Sequence, residues 1–154
     1  MCLINLMLMM ALTHLGLFIL IFKRGQLIKP ETKFWHELKR ITPQITWTRL
    51  ENASLLGTPD LLGYNSHRHF FTVELKVANG NKVRLSPHQI SFHIRHPENT
   101  FILVKTKLAC RLYLGKQVKE LLACGCSLEP VACGWTDTRL WLEDLGGDDT
   151  LAYP

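Results

Sequence analysis

Three charged residues interrupt a stretch that otherwise alternates like buried sheet: Asp60 directly after Pro59 in GTPD, then Glu74 and Lys76 two apart in ELK. A carboxylate is costly to desolvate unless something pairs with it, so their placement calls for a chemical reason. Residues two apart on a strand share a face. In HFFTVELKV, Phe71, Val73, Leu75 and Val77 make one apolar face, and Phe70, Thr72, Glu74 and Lys76 take the other. Glu74 and Lys76 therefore project side by side, away from the core that Leu75 helps to build. If DLLGY pairs with this strand as an antiparallel hairpin, Asp60 comes to lie near Glu74. Two carboxylates that close repel each other, and a divalent cation relieves the repulsion. Mg²⁺ or Mn²⁺ suits hard oxygen ligands, and Mg²⁺ takes one or two protein carboxylates and completes its shell with water and substrate phosphate. With Lys76 to assist an attacking water and offset charge on phosphorus oxygens, these parts suffice for phosphodiester hydrolysis. The plain alternative is a surface ion pair of small energetic value. A bare E-x-K favours that alternative, whereas the Pro-Asp 14 residues upstream and the strand pattern between them favour a site.

The surrounding elements must hold these groups in place. KPETKFWHELKRI predicts a helix, with Pro30 in its first turn and Phe34, Leu38 and Ile41 on one stripe, ended by Pro43. ITWTRLEN predicts a strand with Ile45, Trp47 and Arg49 on one side and Thr46, Thr48 and Leu50 on the other. SLLGTP supplies a turn, and DLLGY and HFFTVELKV form a hairpin around NSHR. After the loop ANGNK, LSPHQISFHIRH starts a helix with Ser86 as N-cap, Pro87 at N1, Gln89 closing a capping box, and Leu85 and Ile90 as a hydrophobic staple. TFILVKT and CRLYL predict strands, and KQVKELLA a short helix stopped by CGC. The acidic end shows no clear period, and no repeat or low-complexity tract is present. The predicted class is α/β, a central mixed sheet with a strand meander flanked by helices.

The formal charge of +5 is unevenly spread. Residues 23–126 carry seventeen Lys or Arg against seven acids, and residues 127–154 carry six acids against Arg139 alone. The basic middle suits a polyanionic partner such as nucleic acid, or equally a solvated surface. The five cysteines are odd in number and follow no clean secretory signal, so they form no disulfide framework. Residues 1–22 are uncharged and are followed by Lys23 and Arg24. They are long enough for a membrane anchor with its C-terminal end in the cytoplasm, or they precede the true start of the chain. NAS at 52–54 matches a glycosylation acceptor that a cytosolic protein would not use. The expected organisation is this segment, a domain over 23–122 and an acidic extension over 123–154.

GTPD with ELK resembles the PD-(D/E)XK nuclease superfamily. With RLEN before, ELKV after, then RLSPHQISFHIRH and FILVK, the chain closely resembles small phage and bacterial VRR-NUC-type proteins and Holliday-junction-resolvase-like nucleases over roughly residues 30 to 122. The resemblance implies a restriction-endonuclease-like core and a Mg²⁺-dependent endodeoxyribonuclease, with Mn²⁺ as a substitute, acting on branched or flap-like DNA in recombination, repair or phage DNA processing. It implies that Asp60 and Glu74 bind metal, that the Leu75 carbonyl completes the site, and that Lys76 assists the attacking water. Glu51 matches an additional upstream acid, with a solvent-facing glutamate as its plain alternative. Glu37 is a weaker candidate, read as an exposed helix charge. Gln89 matches a glutamine that orients Lys76 or the substrate phosphate, a role compatible with its capping box. Lys82, Arg84, His88 and Arg95, with His93 and His96, surround that helix as phosphate contacts or surface residues. Many junction-cutting relatives work as dimers because two strands must be cut symmetrically, so the resemblance implies a homodimer, and a cytoplasmic location, in the host if the chain is phage-encoded. The rival from another class is a non-catalytic nucleic-acid-binding module on the same fold. A membrane-tethered protein depends wholly on residues 1–22.

Overall fold

A computed structural model describes residues 29–50 and 57–147. The N-terminal hydrophobic segment, Glu51 and the NAS sequence lie outside the described residues. Among the described residues, no helix is long and apolar enough to cross a membrane.

The chain builds helix α1 (Pro30–Ile41), strands β1 (Thr46–Arg49), β2 (Leu61–Tyr64) and β3 (Phe70–Val77), helix α2 (Pro87–Arg95), strands β4 (Thr100–Lys105) and β5 (Cys110–Leu114), helix α3 (Val118–Cys124), strand β6 (Ala132–Cys133) and helix α4 (Trp135–Asp144). The strands form one mixed sheet in sequence order. β1, β2 and β3 are an antiparallel meander, β4 joins β3 in parallel through the α2 crossover, and β5 and β6 return antiparallel. This is the mixed sheet flanked by helices that the alternation and capping signals predict.

The two faces of the sheet explain the two kinds of strand residue. Phe71, Val73 and Leu75 of β3 join Leu61, Phe101, Leu103 and Leu112 in one core, which Phe34 and Leu38 of α1 and Leu142 of α4 cover. Ile102, Val104 and Tyr113 turn to the opposite face, where Val83, Val118 and Leu121 pack on them with Leu85 and Ile90 at the edge. Gly63 is required in the first core. A Cβ there would stand 2.5 Å from the Phe71 ring, which packs edge-on against Trp47 at 5.6 Å between centroids.

The acidic end, which shows no legible period, forms β6 and α4 and joins the first core. Trp135 lies 5.6 Å from Phe34, centroid to centroid, and Leu142 is fully buried. Trp135 and Trp141 are partly buried against that core. Asn65 holds the segment in place. Its Nδ2 donates to the carbonyls of Leu142 (3.1 Å) and Leu145 (2.7 Å), while its Oδ1 accepts the His67 and His69 amides at 3.1 Å. One buried side chain thus shapes the β2–β3 turn and caps the end of α4.

Candidate active site

The register places Leu61 opposite Val73, so Asp60 stands beside Glu74 at the end of the hairpin, as the antiparallel pairing predicts. The backbone carbonyl of Asp60 accepts the Leu50 amide at 2.8 Å, and its Oδ2 accepts the Leu75 amide at 2.8 Å. Asp60 is therefore held at two points, one on each flanking strand. The turn before it is packed against α2. Gly57 has φ +90°, and a Cβ there would lie 2.5 Å from the His88 carbonyl oxygen, so only glycine lets the GTPD turn approach the helix.

Glu74 does not face solvent, as a reading from strand alternation alone suggests. It leaves the first core, but α2 covers the face that it enters, and it is 1% exposed. Glu74 Oε1 accepts from Lys76 Nζ at 2.8 Å and from Gln89 Nε2. Its other oxygen, Oε2, is buried and has no protein partner. Burial first and the neighbouring Asp60 second push the Glu74 carboxyl up to about 7, against the opposing pull of Lys76.

Gln89 combines two tasks. Its Oε1 accepts the Ser86 amide at 2.9 Å, while Ser86 Oγ accepts the Gln89 amide at 3.2 Å, which completes the capping box. Its Nε2 is then aimed at Glu74 rather than at Lys76. The helix cap thereby fixes the amide that meets the carboxylate.

The expected phosphate contacts divide into two groups. Lys82 and Arg84 line an open groove of about 480 Å³ together with Lys76, Asn79 and Glu31. Asn81 pins this loop to the end of α3 through Cys124 O (2.9 Å) and Ser127 Oγ (3.1 Å). His88 is exposed on the first turn of α2. Arg95 is at the opposite end of that helix, six residues from Gln89, which at 1.5 Å rise per residue is about 9 Å along the axis. Its Nε donates to Ser91 O at 3.3 Å. Glu37 pairs with Lys105 Nζ, so its charge serves α1 and β4.

His93 departs from its expected surface position and is 1% exposed. Thr100 Oγ1 donates its single proton to His96 O at 2.8 Å, so His93 Nδ1, 3.2 Å from the same hydroxyl, is the donor in that contact. Burial, reinforced by the charge of Lys76, lowers its pKa to about 4 and keeps the ring neutral. The sequence signal was available: residue 93 falls four after Gln89 and three after Ile90, on the inward side of an amphipathic helix.

Among the described residues, no group of three or more His, Cys, Asp or Glu side chains converges as a complete metal cage. The donor set at Asp60 and Glu74 does fit a hard cation that retains water and takes substrate oxygens. Two adjacent carboxylates, one with an orphaned buried oxygen, offer anionic oxygen and lack compensating positive charge beyond Lys76.

No family model matches the chain, and no curated protein matches it. Among solved structures, the chain is similar to Hjc of Archaeoglobus fulgidus, described as a Holliday junction resolvase from an archaeal hyperthermophile. The identity is 15%, the TM-score is 0.44, and the match covers 58% of this chain and 75% of that one.

Proposed function

We propose that the chain is a divalent-metal-dependent endonuclease that hydrolyses DNA phosphodiester bonds, with branched or flap-like DNA as its substrate class. The observation that carries this reading is the convergence of Asp60, Glu74, Lys76 and Gln89 around one buried, partly unsatisfied carboxylate. A structural ion pair needs neither the orphaned oxygen nor a second carboxylate beside it.

Asp60 and Glu74, with the Leu75 carbonyl that the sequence resemblance implies, would hold Mg²⁺ or Mn²⁺, and Glu51 is the further acid proposed for the set. When bound, the ion supplies Lewis-acid polarisation of the phosphate and offsets the paired carboxylates. Leu75 N–H holds Asp60 Oδ2 and so fixes the orientation of the carboxylate that would bind the ion. Gln89 Nε2 fixes the orientation of Glu74 from the helix side. The Lys76 side chain is 23% exposed and its Nζ lies 2.8 Å from Glu74 Oε1, at the solvent edge, where it would orient the attacking water and offset charge developing on the phosphate oxygens. Lys82 and Arg84 guide the backbone along the groove that Lys76 shares.

The test is cleavage of a labelled four-way junction, a flap and a linear duplex by the full chain, with Mg²⁺, with Mn²⁺ and with EDTA. Asp60→Ala, Glu74→Ala and Lys76→Ala are run alongside. Metal-dependent cutting lost in all three variants supports the reading, and the best-cut substrate identifies the structure preference. Binding of these DNAs without cutting, unaffected by the three substitutions, would replace the nuclease with a binding module.

A further inference from the structure

The face that carries Asp60 and Glu74 continues away from them as an open surface ending in aromatic rings. By register, Thr46 and Thr48 of β1, Leu62 and Tyr64 of β2, and Phe70 and Thr72 of β3 share that face. Helices α2 and α3 cover its β4–β5 half. On the meander half, Thr46 and Thr48 are exposed and Leu62 and Tyr64 are half-buried. Tyr64 and Phe70 are direct cross-strand partners, with ring centroids 4.4 Å apart and planes tilted by 37°. Phe70 is nonetheless 59% exposed.

A cross-strand aromatic pair helps to hold a hairpin together, but that role is served better by burial than by exposure. Two further features point to a ligand. The pair stands in line with the carboxylates on β3, four residues from Glu74, or about 13 Å at a strand's rise per residue. That span is about four steps along one strand of a DNA duplex at roughly 3.4 Å each. The turn beside the rings carries an exposed Arg68 at φ +61° and is fixed by Asn65 Oδ1, which holds the flanking amides. An exposed aromatic ring beside an exposed arginine on a fixed turn is the combination that binds an unstacked base and its phosphate. A second copy of this chain would bring the same basic turn against itself, which disfavours self-association through this patch.

We infer that Tyr64 and Phe70 form a stacking platform for an unpaired base of the DNA substrate, with Arg68 meeting the adjacent phosphate. The inference rests on the nucleic-acid reading of the neighbouring site and deepens it, because it assigns the enzyme a substrate that is single-stranded about 13 Å from the scissile bond.

The test is equilibrium binding of the full chain in EDTA, by fluorescence anisotropy, to a labelled oligothymidylate and to a blunt duplex of equal length. Phe70→Leu keeps an apolar strand residue and removes the ring, and Phe70→Trp restores an aromatic face. Sedimentation velocity and a thermal melt accompany each variant. Loss of roughly fivefold or more in affinity for the oligothymidylate in Phe70→Leu, recovered in Phe70→Trp and absent for the duplex, supports the platform. Unchanged affinity, an equal loss on both probes, or a change from dimer to monomer would overturn it. If the wild-type chain does not bind the oligothymidylate, the platform falls, and cleavage of the four-way junction or flap decides the nuclease reading separately. If it binds as described but cuts no DNA with Mg²⁺ or Mn²⁺, the nuclease reading fails and the platform stands.

Discussion

Replacing Glu74 with glutamine should stabilise the metal-free protein while abolishing the proposed nuclease activity. Glu74 is 1% exposed, and its carboxyl is raised from 4.5 to about 7, chiefly by burial. For a carboxyl raised in this way, the folded state holds a proton that the unfolded chain gives up. Stability is therefore greatest below about pH 4.5, falls as pH rises through about 7, and is level above that. A shift of this size corresponds to about 3 kcal/mol at most. Glutamine removes the buried charge. Its Oε1 can still accept from Lys76 and Gln89, and its amide can donate to Asp60 where the repulsion was. Against this stands the lost attraction of Lys76, so the net gain at about pH 8 in EDTA should be on the order of 1 to 3 kcal/mol, which raises Tm by several degrees. The gain should shrink towards zero as pH falls to about 4.5, because the wild-type carboxyl is then protonated. Added Mg²⁺ should stabilise the wild type and leave Glu74→Gln unmoved. Urea or thermal denaturation across this pH range measures both effects. A variant that is less stable than wild type at the alkaline end, or a difference that does not change with pH, would refute the reasoning.

Other substitutions separate the roles of neighbouring groups. Gln89→Glu keeps an acceptor for the Ser86 amide but replaces the donor to Glu74 with a second carboxylate, so cleavage should fall at least about tenfold and Tm should drop at about pH 8 in EDTA; equal activity would show that the Gln89 contact is incidental. Asn65→Ala leaves the carbonyls of Leu142 and Leu145 and two turn amides without their partner. It should cost about 3 kcal/mol or more by urea denaturation, with near-ultraviolet circular dichroism reporting loosened tryptophans; a cost below about 1 kcal/mol would contradict the anchoring role. Lys82→Ala and Arg84→Ala should each lower the slope of log affinity against log salt by about 1 on duplex DNA, irrespective of sequence. An unchanged slope would remove that residue from the phosphate contacts.

Features set by neighbours in sequence were legible, and those set by distant packing were not. The alternation of β3, the hairpin that brings Asp60 to Glu74, and the Ser86–Gln89 capping box all follow from local periodicity and spacing. The burial of Glu74 does not, because a strand pattern shows which face a residue takes but not whether a helix 15 residues later covers it. Helix α4 was hidden for a different reason. Its inward positions are Thr138 and Leu142, and Gly134 precedes it without a side-chain cap, so neither the apolar period nor the start signal stands out. The Glu37–Lys105 pair joins residues 68 apart, beyond the reach of any local pattern.

The most direct test of the catalytic assignment is single-turnover DNA cleavage with Mg²⁺ by the full chain and by Asp60→Asn. Asparagine keeps the shape and the acceptor for Leu75 N–H and removes only the charge. The site as described predicts at least about a hundredfold slower cleavage with DNA affinity in EDTA unchanged. Equal rates in the two proteins would contradict it.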